Sequence, residues 1–190
     1  MTHPTSRPES RRDWARHLGV DVDPTEALTA AGTLPALWER RWQESPEDIC
    51  IVDLMAGERT LTAGDVLQQT AAYAAVLHKQ GLRAGDRALF SAQPSLEYLL
   101  LYLAALRLGA TIVPANTAYL ERELRHIAGD SEAVVAVMDD PERAAWLDVP
   151  WIAPATATAG SGVDGPALDV AQPESLAMIA YTSGTTGRPK

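Results

Sequence analysis

The sequence predicts an α/β fold with a largely parallel sheet and flanking helices. Two observations carry this expectation. From Thr33 onward, short apolar runs alternate with segments of helical period, and the helical segments carry recognisable capping and stop residues. With 190 residues, 46% of them apolar, the chain also has enough material for one core.

Residues 1–32 read as a polar, Pro-containing lead-in, with a short amphipathic turn around Trp14 to Leu18. Residues 33–190 are expected to form an α/β subdomain. Leu34, Leu37, Trp38, Arg41 and Trp42 recur at helical spacing, Pro35 falls in the first turn, and the helix stops before Pro46. Ile49 to Leu54 and Arg59 to Leu61 predict two strands joined through a turn at Ala56-Gly57. The apolar neighbours of Cys50, the sole cysteine, predict a buried strand and an inert core thiol.

Thr62 followed by Asp65 is a capping pattern. Ala63, Val66, Leu67, Thr70, Ala74 and Leu77 then make an apolar stripe that ends at Gly81. After the turn Arg83 to Asp86 come a strand, Arg87 to Phe90, and a helix opened by Pro94 and ended by Gly109. That helix is apolar on nearly every side and is expected to be buried, Leu100 and Leu103 included. Thr111 to Val113 is a strand, Leu120 to Ala128 a helix and Ala133 to Met138 a strand, so the connections are βαβ units. Ala153 to Pro173 is aperiodic and predicts a surface loop.

Composition excludes several function classes. With 16 basic and 25 acidic residues the net charge is −9, and no basic block follows the first twenty residues, which disfavours nucleic acid or an anionic membrane as the main partner. Leu96 to Leu108, the most apolar stretch, carries Glu97 and Arg107 and falls short of the ~20 residues of a spanning helix. The N-terminus shows no secretory pattern, so a cytoplasmic location is expected. His3, His17, His78 and His126 have no second ligand at metal spacing, and His126 falls off the apolar stripe and reads as exposed. Gly160, Gly162 and Gly165 spell a dinucleotide fingerprint, but within the aperiodic loop rather than between a strand and a helix, so they read as loop glycines.

The informative stretch is the last. Leu176 to Tyr181 predicts a buried strand that runs into Thr182-Ser183-Gly184-Thr185-Thr186-Gly187-Arg188-Pro189-Lys190. Gly184 and Gly187 let the backbone bend and its N–H groups converge on phosphate oxygens. The hydroxyls of Thr182, Ser183, Thr185 and Thr186 add donors, and Lys190 adds charge. Each charge-assisted bond contributes roughly 1.5–3 kcal/mol, so several together would hold a triphosphate. The spacing differs from the Walker pattern G-x-x-x-x-G-K-[ST], which weakens a kinase or GTPase reading.

The run Tyr181 to Lys190 resembles the phosphate-binding signature of the adenylate-forming (AMP-binding) superfamily. Leu34 to Trp42, Gly85-Asp86-Arg87, Ala105 to Gly109, Val113 to Asn116, Glu123-Leu124 and Asp130-Ser131 resemble it in the same order. The resemblance implies the N-terminal part of the large domain of a ligase using ATP and Mg2+. A carboxylic acid attacks the α-phosphate to give an acyl-adenylate and pyrophosphate, and a thiol, usually CoA, then displaces AMP. By the same resemblance Thr182 to Lys190 would hold the leaving pyrophosphate, with the Thr185 hydroxyl near Mg2+. Asn116 is similar to the acyl-CoA synthetase branch, and Asn116 to Tyr119 to synthetases of short polar acids. An adenylation domain of a peptide synthetase and a noncatalytic binding module on the same fold are the alternatives. The adenine, ribose, acyl and CoA sites and the catalytic lysine of the family lie beyond Lys190, so the 190 residues alone are expected to be inactive, with no catalytic residue among them.

Overall fold

A computed structural model of the protein describes residues 32–54, 57–157 and 165–182. The first helix, α1 (Leu34–Glu44), begins with Pro35 in its first turn, and it stacks Trp38 on Trp42 with ring centroids 6.0 Å apart. Strands β1 (Ile49–Asp53) and β2 (Arg59–Thr62) pair antiparallel as a two-stranded sheet of their own. Cys50 is exposed there, as are Ile49 and Val52, contrary to the expectation of a buried strand. The run is apolar on both faces, yet the hairpin stands outside the main sheet and among the described residues only one side of it is packed.

Helix α2 (Ala63–Lys79) starts on a complete capping box. Asp65 N–H donates to Thr62 Oγ1 at 3.2 Å, and Thr62 N–H donates to the Asp65 carboxylate at 2.9 Å. Its stripe is buried as predicted, with Val66, Thr70, Ala74 and Leu77 all at 0% exposure and Leu67 partly covered.

The main sheet contains β3 (Arg87–Ser91), β4 (Thr111–Pro114), β5 (Ala133–Met138) and β6 (Trp151–Ile152), all parallel, in the order β4-β3-β5-β6. Helices α3 (Leu96–Arg107) and α4 (Glu121–Asp130) form the crossovers on either side of β4, and α5 (Pro141–Ala144) follows β5. Side chains alternate across the pleat. Ala88, Phe90, Ile112, Val135 and Val137 meet α2 and α3 in one core, while Leu89, Val113, Ala136 and Met138 meet Leu124 and Ile127 of α4 in another. Covering both faces with helices is what a parallel sheet requires.

Ser95, not Pro94, caps α3: its hydroxyl accepts from Tyr98 N–H at 3.1 Å. Within α3, Leu100 is fully buried but Leu103 only partly so, and Leu99 is 39% exposed, so the helix keeps a wet face despite its apolar composition. Gly109 ends it at φ +77°, where a Cβ would come within 3.3 Å of the Ala84 methyl. Among the described residues no helix is long and apolar enough to cross a membrane.

Candidate functional site

The segment leading to the glycine- and hydroxyl-rich run lies along the free edge of β4. Thr111 Oγ1 donates to the Leu176 carbonyl at 3.0 Å, Ile112 N–H to the Ala177 carbonyl at 3.0 Å, and Ile179 N–H to the Ile112 carbonyl at 2.9 Å. These bonds fix a parallel bridge, Ile112 to Met178, so the segment runs in the direction of β4. It is not the buried strand the sequence predicts. Pairing is confined to the one bridge, and Leu176 and Met178 are 65% and 49% exposed. The reason is its place at the margin: among the described residues nothing pairs with its outer side.

Ile179 and Tyr181 turn back onto the α4 core. Tyr181 O–H donates to Asp130 at 2.6 Å, and its ring meets the imidazole of the half-buried His126 edge-on, with centroids 6.4 Å apart. His126 is thus packed against this segment rather than exposed as expected. Burial, the hydrogen bond to Asp130 and the charge of that carboxylate push the Tyr181 hydroxyl up to about 12. Because the folded state holds this proton more tightly, the associated stability is present below pH ~10 and is lost as pH rises toward 12. Tyr181→Phe is expected to remove that part of the alkaline slope. Thermal midpoints of the two proteins between pH 9 and 12 check it: Tyr73, Tyr98 and Tyr102, also raised by burial, are common to both, so identical slopes would refute it.

Thr182 follows on the surface, exposed. Ser183, Gly184, Thr185, Thr186, Gly187 and Lys190 lie outside the described residues, as do Gly160 and Gly162 of the decoy fingerprint; Gly165 is exposed, with open space around it. Among the described residues no group of three or more His, Cys, Asp or Glu could hold a metal.

A second polar cluster sits at the carboxyl ends of the strands. The chain leaves β3 for β4 and then crosses back to β5, so the direction of winding reverses between β3 and β5, the place where open α/β sheets form a crevice. At this point several polar groups are bonded to one another. Arg143 Nη2 donates to Ser91 Oγ at 2.9 Å and to the Asn116 carbonyl at 3.3 Å, and the Asp139 carboxylate accepts from Gln93 N–H at 2.7 Å. The Asn116 side chain accepts from Ala118 N–H at 2.8 Å, which makes it a turn former. Arg143 Nε is buried without a partner. These groups are largely spent on one another.

Sequence reasoning missed Arg107 and Asp169, which meet at 2.7 Å with side chains each 3% exposed. The available signal was a lone arginine in an apolar helix, since a buried charge needs a partner.

A parallel sheet sandwiched between helices, with a bridge leading from its edge strand into a Gly/Thr/Ser run, defines the N-terminal subdomain type of adenylate-forming enzymes. Residues 38–190 match the AMP-binding enzyme family, and the chain belongs to that family. It is 31% identical over 186 residues to the AMB antimetabolite synthetase AmbB of Pseudomonas aeruginosa, covering 94% of this chain and 14% of that one. Among solved structures it is similar to NpsA-ThdA of Klebsiella oxytoca, an artificially fused adenylation-PCP di-domain NRPS (TM-score 0.67, 25% identity, 82% of this chain, 31% of that one). It is equally similar to the O-succinylbenzoate coenzyme A synthetase MenE of Bacillus subtilis, solved with AMP (TM-score 0.67, 26% identity, 80% of this chain, 40% of that one). The chain therefore spans about one seventh of the length of the curated relative and less than half of these solved chains.

Proposed function

We propose that this chain supplies the triphosphate-binding portion of an enzyme that activates a carboxylic acid with ATP, forming an acyl-adenylate and pyrophosphate and then a thioester. The observation that carries the reading is the run Thr182 to Lys190, placed directly after a segment bridged to β4 at the open edge of the sheet. Backbone N–H groups freed by Gly184 and Gly187, four hydroxyls and Lys190 would neutralise charge on the leaving pyrophosphate, and that charge grows in the transition state. Mg2+, held by the phosphates with Thr185 nearby, would add Lewis-acid stabilisation.

Asn116 and the likeness to a coenzyme A synthetase support CoA as the acceptor thiol. The likeness to an adenylation-PCP protein supports the second reading, a carrier-protein thiol. Mass spectrometry of products formed with CoA and with a carrier protein distinguishes the two.

In the complete protein, Gly184→Val and Lys190→Ala are each expected to lower acid-dependent exchange of labelled pyrophosphate into ATP by about 10²-fold or more, the scale of losing one transition-state donor. Thermal midpoints should hardly move, since on this reading the run serves the ligand rather than the core. Exchange at the wild-type rate in both variants would sink the assignment.

A further inference from the structure

We propose that Arg107 and Asp169 form a buried latch that positions residues 176–182, and through them the run that follows; the second half of this proposal rests on reading that run as a phosphate loop. Every nitrogen of the Arg107 side chain is engaged. Nε donates to Asp169 at 3.0 Å and Nη2 at 2.7 Å, forming a fork on the carboxylate. Nη1 donates to the Leu67 carbonyl at 3.0 Å and to Thr70 Oγ1 at 2.7 Å, and the guanidinium carbon lies 5.8 Å from the centre of the Trp42 ring. The backbones join as well: Asp169 N–H donates to the Arg107 carbonyl at 2.6 Å. One side chain therefore ties α1, α2 and α3 to the segment that approaches β4.

Stability alone does not account for such a pair. Desolvating two charges can cost as much as their attraction returns, so a buried ion pair often contributes no net stability over an apolar packing, whereas it does select one geometry. The geometry selected here is specific. Asp169 is held at φ +57°, in the left-handed region that non-glycine residues seldom occupy outside tight turns. The chain then follows the α3–β4 corner, with Val170 at Gly109, Leu176 at Thr111 and Ala177 and Ile179 at Ile112. Past Asp169 the bonds to Thr111 and Ile112 set the register of this segment on β4, and they are few. The latch fixes where the segment enters the groove, and so which register those bonds adopt.

The test uses Asp169→Asn and Arg107→Lys in the complete protein. Asparagine keeps the shape and tolerates a positive φ but loses the charge, and lysine keeps the charge but loses the fork. Amide hydrogen exchange at Ile179 and Ile112 is expected to accelerate by about tenfold or more in both variants, while amides inside α2 stay protected. The KM for ATP in pyrophosphate exchange should rise by about tenfold while the KM for the acid is retained. Leu100→Ala serves as the control: it loosens the core but should leave the KM for ATP alone. Unchanged exchange at Ile179 in a folded variant overturns the latch. Faster exchange with an unmoved KM for ATP, or an equal rise in Leu100→Ala, overturns its role in positioning the loop. If the wild-type protein shows no acid-dependent pyrophosphate exchange, the functional reading fails, and amide exchange by itself still decides whether the latch orders this segment.

Discussion

Arg107→Ala is expected to lower the unfolding free energy by about 3–5 kcal/mol, the cost of breaking a buried ion pair by removing one partner. The substitution leaves the Asp169 carboxylate, 3% exposed, facing a void without its counter-charge. It also strands the Leu67 carbonyl and Thr70 Oγ1, and removes the cation from the face of Trp42. Chemical denaturation checks the magnitude, and Asp169→Asn in the same background, which removes the second charge and tolerates the positive φ, is the diagnostic companion. With both charges gone the desolvation penalty disappears, so the double variant should recover much of the loss. A double variant no more stable than Arg107→Ala would mean that packing around the arginine stem, not the paired charge, sets the cost.

Leu100→Ala is expected to cost about 2–5 kcal/mol, because Leu100 is at 0% exposure between the sheet and α2, and truncation leaves a cavity that close-packed neighbours fill only in part. Leu103→Ala, one helical turn on, should cost visibly less, since that side chain is already partly in water. Equal losses at the two positions, measured by thermal or urea unfolding, would show that the two faces of α3 are not distinguished as described.

Much of this architecture is legible in the residues because it is decided locally. Thr62 and Asp65 announce the start of α2 by a reciprocal bond between near neighbours, and Gly109 announces a left-handed residue wherever it packs. The strands β3 and β5 are legible for a different reason: apolar on both sides, they suit a sheet covered on both faces. The same pattern misleads at Cys50 and at Leu176 to Tyr181. Both runs look like central strands, but burial depends on what pairs with and covers them, and each lies at a margin. The pairing of Arg107 with Asp169, 62 positions apart, and of Tyr181 with Asp130, 51 apart, is invisible to periodicity because it is created by topology. At the candidate site the residue types are legible from Gly184, Gly187 and their hydroxyl neighbours. The bridge between Ile112 and Met178 that precedes them in the chain is not.

The edge bridge also orders events in time. Thr111 and Leu176 meet across 65 positions, whereas β3 and β4 are joined by one helix and its two short connections. Closing longer loops costs more chain entropy before any contact repays it, so β3, α3 and β4 should assemble first and residues 165–182 dock afterwards. On the ribosome the separation is wider, because the receiving edge is synthesised well before the segment that fills it. Among the described residues, the segment nearest the proposed nucleotide chemistry thus docks after the sheet that receives it and, held by few bonds, lets go early when that sheet begins to open.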